Sequence, residues 1–305
     1  MVAFTHVLYP TDLSESSRRA AQYAATISRW YNARLTVLHV VPTFEPMIVP
    51  SDVLGAPSPV VYPPSAEDVE AEMRRSLTDD AFRGLDVRFV PSAGDPVRVI
   101  VDRALSDSAD LIVMGTHGRS GVDRLMTGSV TEKVLGRASC PVLTIPPHAP
   151  EGHAGHGTFS RILCPVDFST ASQQALGFAL DLARQAKGSV TVMNVIEWLT
   201  EEDPRVSAYF NVDKYRRLLA EDTRERLGTL LADASSKGSE IEKVVTFGRA
   251  HREVLRVAVE KACDLIVMGA QGRGGVGLAL FGSTTPPVIR SAACPVLVVR
   301  SPVEA

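Results

Sequence analysis

The residues of this chain best suited to holding a phosphate group are two sets of glycines with the same internal spacing. The hexapeptide Asp-Leu-Ile-Val-Met-Gly ends once at Gly115 and again at Gly269, and each copy continues as G-x2-G-x9-G-S. The remaining glycines are Gly118 and Gly128 in the first copy, and Gly272 and Gly282 in the second. Because glycine has no Cβ, such a loop lets main-chain N–H groups converge on an anion ahead of a helix. The spacing predicts phosphate binding without a catalytic side chain.

Ser129 follows the last glycine of the first loop and is predicted to be the N-cap of a helix. Its hydroxyl and the unpaired N–H groups of Val130 and Thr131 can then face an anion, which the helix dipole also favours. Ser283 and Thr284 follow the last glycine of the second loop. Single glycine turns after strands are common, but two copies with one spacing favour phosphate binding over an ordinary turn.

A second pair of motifs follows the first strand of each half. The chain has Pro10-Thr11-Asp12 in the first half and Pro165-Val166-Asp167 in the second, each followed two residues later by a serine. In an open parallel sheet, ligands bind beyond the carboxyl ends of the strands. Asp12 and Asp167 can therefore accept a hydrogen bond from a base or a sugar. The alternative, that Asp-x-Ser simply caps the next helix, has equal weight.

The elements that position these motifs alternate between short β-branched runs and helical patterns, which indicates β-α-β units and a parallel sheet. The predicted strands are Phe4–Tyr9, Leu35–Val41, Val87–Pro91, Asp110–Gly115 and Val142–Ile145, then Arg161–Cys164, Ser189–Ile196, Glu242–Phe247, Asp264–Gly269 and Val296–Arg300. The predicted helices are Ser14–Tyr31, Ala66–Arg83, Pro96–Ser106 and Val130–Ala138, then Thr170–Ala186, Val212–Ser235, Ala250–Ala262 and Val288–Ala293.

The repeat divides the 305-residue chain into two domains, 1–147 and 159–305, joined by a flexible linker at 148–158 that is rich in glycine and histidine. We predict no metal site at the linker histidines, because loose tracts of this kind are usually solvated. The segment Thr43–Ser65 contains six prolines and is expected to be a lid or simply disordered, with equal weight.

Composition excludes several functional classes. The chain has 32 basic and 35 acidic residues and a net charge of −3, so it lacks the basic excess typical of nucleic-acid or membrane-surface binding. No apolar run approaches the roughly 20 residues of a membrane span, and the amino terminus has no signal-peptide pattern. The four cysteines form no CxxC pair. We therefore expect a cytoplasmic protein with buried, reduced thiols, no nucleic-acid partner and no membrane partner.

Taken together, these motifs resemble a tandem universal stress protein of the ATP-binding branch, and the resemblance covers nearly the whole chain. It implies two doubly wound α/β domains, Rossmann-like or flavodoxin-like, each with a five-stranded parallel sheet in the order 3-2-1-4-5. It also implies that the last strands of the two domains pair within the chain, so that one chain mimics a homodimer; a further homodimer of whole chains is possible but not required.

The resemblance further implies bound ATP, with Mg²⁺ as a possible companion of the triphosphate. Adenine contacts carry over to Asp12 and the backbone of Val40, and to Asp167 and Val195. Ribose and phosphate contacts carry over to Pro10, Gly115, Gly118, Gly128, Ser129 and Val130, and to Pro165, Gly269, Gly272, Gly282, Ser283 and Thr284. The predicted sites also include Thr11, Met114, Arg119, Val166, Met268 and Arg273.

One departure from the repeat separates the two sites. After the last glycine and serine, the first copy continues Val-Thr-Glu-Lys, whereas the second continues Thr-Thr-Pro286-Pro287. A residue that precedes proline is disfavoured in the helical region, so the second helix is predicted to start late. We therefore expect phosphate binding to be stronger in the first domain.

The chain has no P-loop, no HExxH, no G-x-S-x-G and no G-x-G-x-x-G motif, so we expect a regulatory protein of the stress response that acts through bound nucleotide and is not an enzyme. One alternative is an enzyme with slow ATPase or nucleotidyl-transfer activity. A second alternative is a nucleotide-free dimerisation module.

Overall fold

The computed structural model describes residues 4–42, 47–48, 60–61, 64–77, 80–116, 128–149, 159–197, 212–235, 240–272 and 282–300. In the first half the elements are β1 His6–Thr11, α1 Glu15–Tyr31, β2 Arg34–Val41, β3 Met47–Ile48, β4 Val60–Val61, α2 Ala66–Ser76, β5 Val87–Ala93, α3 Pro96–Ser106, β6 Leu111–Gly115, α4 Ser129–Arg137 and β7 Val142–Ile145. In the second half they are β8 Arg161–Pro165, α5 Thr170–Ala186, β9 Ser189–Ile196, α6 Val212–Ser235, β10 Glu240–Phe247, α7 Ala250–Glu260, β11 Leu265–Gly269, α8 Thr285–Ser291 and β12 Val296–Val299.

Ten of the strands form one sheet in the order β10-β9-β8-β11-β12-β7-β6-β1-β2-β5. Within each half the order is 3-2-1-4-5 and every neighbouring pair is parallel. The predicted doubly wound α/β fold is confirmed. In this order the first and fourth strands of each half are adjacent, so the two predicted site motifs end at the same edge of the sheet.

The two halves join through their last strands. β7 and β12 pair antiparallel, with Thr144 opposite Val296 and Val142 opposite Val298. The Thr144 hydroxyl adds a 3.1 Å hydrogen bond to the carbonyl of Val296. The predicted pairing of the last strands is confirmed, and neither strand is left as an open edge.

Aromatic stacking beneath this junction follows the sequence repeat. Phe4 stacks on Phe178 with ring centroids 6.0 Å apart, and Tyr23 stacks on Phe159 at 5.9 Å. Phe4 corresponds to Phe159 and Tyr23 to Phe178, so the two stacks are the same contact made in both directions. All four rings belong to or pack against one apolar cluster shared by the two halves. The halves thus share a core and do not only meet at a surface.

The first helix of each half begins and ends by recognisable local rules. Ser14 and Ser169 are the N-caps of α1 and α5, and each side chain accepts a hydrogen bond from the backbone N–H three residues on. Asn32 and Lys187 end these helices in the left-handed conformation. Asparagine tolerates that conformation better than lysine does.

Some elements differ from the sequence prediction. α2 ends at Ser76, and a separate 3₁₀ turn over Asp80–Phe82 takes up the rest of the predicted helix. In the segment predicted to be a lid or disordered, β3 and β4 form a two-stranded antiparallel ladder. Residues 150–158 of the predicted linker lie outside the described residues.

The four cysteines are free and buried, as predicted. Within the described ranges, no helix has the combination of length and apolar composition that crossing a membrane requires.

Candidate functional site

The aspartates that follow the first strand of each half form the same turn. Asp12 Oδ1 accepts hydrogen bonds from the backbone N–H of Ser14 at 3.0 Å and from its hydroxyl at 2.6 Å. Asp167 makes the same two bonds with Ser169, at 3.0 and 2.6 Å. The helix-capping alternative is therefore correct in a modified form, because serine is the cap and aspartate holds the serine in place. This arrangement fixes the carboxylate at the carboxyl edge of the sheet.

The residue after each aspartate has a backbone conformation that its residue type does not predict. Leu13 has φ 62° and Phe168 has φ 65°, a left-handed conformation that bulky residues rarely adopt. In the first half, the Leu13 N–H donates to the Thr11 hydroxyl, which also bonds the Ser17 hydroxyl. In the second half, the Arg226 guanidinium lies 4.1 Å from the Phe168 ring centroid. Strain of this kind is held by surrounding contacts and concentrates at functional sites.

Two buried polar residues on the second strands hold the site strand in place, and sequence reasoning missed both. His39 Nδ1 bonds the Thr11 carbonyl at 2.7 Å, and Asn194 Nδ2 donates to the Val166 carbonyl at 2.7 Å. Val40 and Val195, the predicted adenine neighbours, come next along these strands and are only partly buried. The repeated spacing of a polar residue just before each valine was the available signal.

Gly269 and Gly272 of the second loop are packed so closely that an added Cβ would force a neighbouring atom to shift. A Cβ at Gly269 would lie 2.9 Å from the Ala171 carbonyl carbon, and one at Gly272 would lie 2.5 Å from Asp167 Oδ2. A Cβ at Gly282 would lie 3.4 Å from the Gly272 nitrogen. The fold therefore brings all three glycines and Asp167 together, as the sequence predicts.

The described part of the first loop follows the same path. The Gly128 N–H donates to the Thr116 carbonyl at 2.6 Å, and the Gly282 N–H donates to the Ala270 carbonyl at 3.0 Å. The predicted contact residues Gly118, Arg119 and Arg273 lie outside the described residues.

A threonine side chain, to which the sequence analysis assigned no role, ties each loop helix to its strand. Thr131 Oγ1 donates to the Gly115 carbonyl at 2.8 Å, and Thr285 Oγ1 donates to the Gly269 carbonyl at 3.1 Å. Both threonines are buried in the first turn of their helices. Each helix N-terminus is thus held against the end of the fourth strand.

The N-cap of α4 is Gly128, so the prediction that Ser129 caps this helix is wrong. Gly128 has φ −55° and ψ 136°, and Ser129 is already the first helical residue. The first α-helical hydrogen bond runs from Glu132 N–H to the Gly128 carbonyl at 3.1 Å. The N–H groups of Ser129, Val130 and Thr131 precede that bond and point along the helix axis toward the loop.

α8 starts two residues later in the repeat than α4. Its N-cap is Thr284, and its first α-helical bond runs from Val288 N–H to the Thr284 carbonyl at 3.2 Å. Of the three positions before that bond, Pro286 and Pro287 have no N–H, which leaves only Thr285. The predicted late start is confirmed, although the helix begins at Thr285 and not at Val288. The second site thus has one helix-aligned amide where the first has three.

The remaining predicted contacts lie on the strands beneath the loops. Thr11, Met114, Val166 and Met268 are each at most 6% exposed, which leaves little surface for a ligand. The Tyr9 phenol, next to Pro10, donates to the Ser17 carbonyl at 2.7 Å. Burial raises the pKa of Tyr9 above its ordinary value, so the phenol is a neutral donor. Pro10 lies in β1 opposite Leu38, and Pro165 lies in β8 opposite Met193.

The donor set fits a nucleotide better than a protein-held metal ion. Among the described residues, no group of three or more His, Cys, Asp or Glu side chains is placed to hold a metal. The described part of each site has one aspartate, and Mg²⁺ at nucleotide sites is held by one or two carboxylates together with phosphates. A divalent ion at these sites would therefore depend on a bound polyphosphate.

The structure places a helix N-terminus that follows a glycine loop and an aspartate at the carboxyl edge of a parallel α/β sheet, which is the edge where open sheets of this class bind their ligands. A profile of the universal stress protein family matches residues 3–146 and 158–300. The chain belongs to the universal stress protein family and contains two copies of its domain.

Known relatives match either the whole tandem chain or a single domain of it. A universal stress protein of Mycobacterium tuberculosis is 27% identical over 306 residues, which cover 96% of each chain. A universal stress protein of Methanocaldococcus jannaschii is 31% identical over 146 residues, which are 47% of this chain and 82% of that protein. The crystal structure of a universal stress protein from Archaeoglobus fulgidus superposes with a TM-score of 0.66 and 23% identity, and covers 99% of both chains.

Proposed function

We propose that this protein is a nucleotide-binding regulator of the stress response, and that its first domain binds ATP between Asp12 and the N-terminus of α4. The observation that carries the proposal is the set of three amides that have no partner within α4, those of Ser129, Val130 and Thr131. They lie in the same half and at the same sheet edge as the aspartate. Amides at a helix N-terminus favour a phosphate, and a carboxylate favours the donors of a base or sugar.

The second domain is proposed to bind an adenine nucleotide through Asp167 and the Gly269–Gly272–Gly282 bend. Its two prolines remove helix amides, so it is expected to bind a polyphosphate more weakly than the first domain does. Mg²⁺ would accompany the triphosphate, held chiefly by phosphate oxygens.

The protein is proposed to act through bound nucleotide and not through turnover. The four unpaired, buried cysteines support a reducing compartment such as the cytoplasm. Slow ATP hydrolysis remains the alternative function, and phosphate release well above that of Gly118→Ala would favour it.

The first test is to denature the purified protein and identify the released nucleotide by mass spectrometry, which gives both its identity and its stoichiometry.

The second test is calorimetric titration of ATP into the parent protein and into the Asp12→Ala variant. We expect Asp12→Ala to weaken ATP binding in the first domain by about tenfold or more, because a charge-assisted hydrogen bond is lost.

Ser14→Ala is the matched control. It removes the same helix cap but keeps the carboxylate, so it reports the effect of a loosened α1 alone. Protein that releases no nucleotide and shows no ATP-induced rise in melting temperature would contradict the proposal and favour a nucleotide-free dimerisation module.

A further inference from the structure

The end of α4 that lies away from the loop is held by a side chain of the other domain. Arg300 directly follows β12 in the second half, and its Nη1 donates to the Gly136 carbonyl at 2.6 Å. The same nitrogen lies 3.4 Å from the carbonyls of Leu135 and Ala138. These are carbonyls of the last helical turn, which have no partner within a helix. A cation at this end is also favoured by the helix dipole.

Arg300 is partly buried at this position. Burial lowers the pKa of its guanidinium, but arginine still keeps its charge at neutral pH. A charged group that is removed from water must be hydrogen-bonded, and the α4 carbonyls supply the acceptors. The contact therefore has a definite geometry and is not a loose surface interaction.

Within the part of the chain that the structure describes, the contact is made in one direction only. The residue of the first half that corresponds to Arg300 is Pro146, which has no side-chain donor to offer to α8. Arg300 extends from β12, which is paired to β7, so the position of the guanidinium depends on the junction between the halves. The second domain thus holds a helix of the first, without a matching contact in return.

α4 is only nine residues long, and it has no side-chain hydrogen bond at its N-cap. Side-chain bonds hold it at both ends, from Thr131 to the Gly115 carbonyl in the first turn and from Arg300 in the last. In a helix of this length, about 14 Å, displacement of one end tilts the amides at the other. Holding the C-terminal end fixes the direction in which the N-terminal amides point.

We infer that Arg300 is a positioning residue for the phosphate site of the first domain, so that the affinity of that site for phosphate depends on the second domain. The inference rests on the proposed nucleotide function. Because coupling is reciprocal, a nucleotide bound in the first domain also strengthens the contact between the halves.

The test is calorimetric titration of ATP and of adenosine into full-length protein carrying Asp167→Ala, which limits tight binding to the first domain. Adding Arg300→Met should weaken ATP binding about three- to tenfold and change adenosine binding by less than about twofold, because only the phosphate contacts depend on α4. Arg300→Lys keeps the charge and should recover part of the loss. Arg290→Met, which removes an exposed arginine from the same domain, should change neither affinity.

An unchanged ATP affinity in Arg300→Met would overturn the inference while leaving the nucleotide function intact. An equal loss for ATP and adenosine would also overturn it, because it would indicate general damage. If Arg300→Met does not fold, the decision falls to Arg300→Lys, whose ATP affinity must lie below that of the parent protein. A parent protein that binds neither ligand would overturn the nucleotide proposal and this inference together.

Discussion

The two domains have the same glycine spacing and the same strand order, yet the helices behind their loops start at different points of the repeat. α4 begins directly after Gly128, whereas α8 begins at Thr285, two positions later. The described ends of the loop are therefore placed alike in both domains, but the number of helix amides is not the same. Glycine spacing predicts where a backbone bends, and the residues that follow decide how many donors face the bend.

The largest effect is expected from exchanging the residues that cause this difference. Glu132→Pro with Lys133→Pro gives the first domain the prolines of the second. It should weaken ATP binding there about 30-fold, because the helix would start two residues later, as α8 does, and the Ser129 and Val130 amides would no longer be aligned with it. Pro286→Glu with Pro287→Lys should strengthen ATP binding in the second domain about tenfold. Each affinity is measured by calorimetry with ATP binding in the opposite domain weakened by Asp12→Ala or Asp167→Ala, and the two affinities are fitted separately.

Equal ATP affinities in the two domains of the parent protein would remove the basis of this comparison. A loss in the first domain that is as large for adenosine as for ATP would show that the prolines had damaged the fold, and not only the phosphate contacts.

The domains also differ at the amino end of their fourth strands. Cys263 in the second domain occupies the position of Ala109 in the first, and burial raises the pKa of Cys263 to about 11 from an ordinary value of 9.0. Its thiol ionises at lower pH in the unfolded chain than in the folded protein. The stability contributed by the neutral thiol is therefore present below pH 9 and is lost as the pH rises toward 11.

Chemical denaturation at pH 8 and pH 10.5 measures this effect. Cys263→Ala, which gives the second domain the residue of the first, should lose less stability between these two pH values than the parent protein, by at most about 2 kcal/mol. The parent and variant would lose the same amount if Cys263 titrated alike in the folded and unfolded states.

Most of the fold could be predicted because the residue pattern that forms each strand or helix is visible in the sequence. Alternating β-branched runs and helical patterns placed β7, β9, α3, α5 and α6 at their observed bounds. The strand order of each half was predicted from the family resemblance. The pairing of the two halves also followed from that resemblance. The two aromatic stacks could not be predicted from one repeat alone, because each stack joins a ring of one half to a ring of the other.

The parts of the site that could not be predicted depend on contacts distant in the chain. His39 and Asn194 act on the first strand from the second, and Thr131 acts on a strand end 16 residues earlier. Leucine rarely adopts the left-handed φ of Leu13, so no residue preference at this position predicts it. The predicted N-cap, Ser129, is one residue away from the observed one, because Gly128 and Ser129 are adjacent candidates for the N-cap.

The close approach of Gly272 to Asp167 gives a prediction of intermediate size. Gly272→Ala places a Cβ 2.5 Å from the carboxylate, so either the loop or Asp167 must move. The nucleotide affinity of the second domain should fall about tenfold, because one charge-assisted contact is misplaced. The affinity of the first domain should be unchanged.

The matched control is Gly177→Ala in α5, where an added Cβ meets nothing within 4 Å. This variant should bind nucleotide normally and be more stable by about 0.5–1 kcal/mol, because alanine favours a helix. A Gly272→Ala protein with the parent affinity would mean that the ligand does not use this bend.

The smallest effect is expected where the first helices end. Lys187 has φ 52° and ψ 39°, and its counterpart Asn32 has φ 51° and ψ 41°. The same left-handed turn thus has an asparagine, which tolerates this conformation, in the first domain and a lysine, which does not, in the second. Lys187→Gly should raise the free energy of unfolding by about 0.5–1 kcal/mol, a gain limited by the greater freedom of glycine in the unfolded chain.

The reciprocal variant sharpens this comparison. Asn32→Lys should lower stability by a similar amount, and the double variant should return close to the parent value, because the two turns lie in different domains and share no partner. Urea denaturation at neutral pH measures all three. If Lys187→Gly lowered stability, the lysine side chain would have to contribute contacts that outweigh the strain of its backbone, and the turn would be better adapted to lysine than its φ indicates.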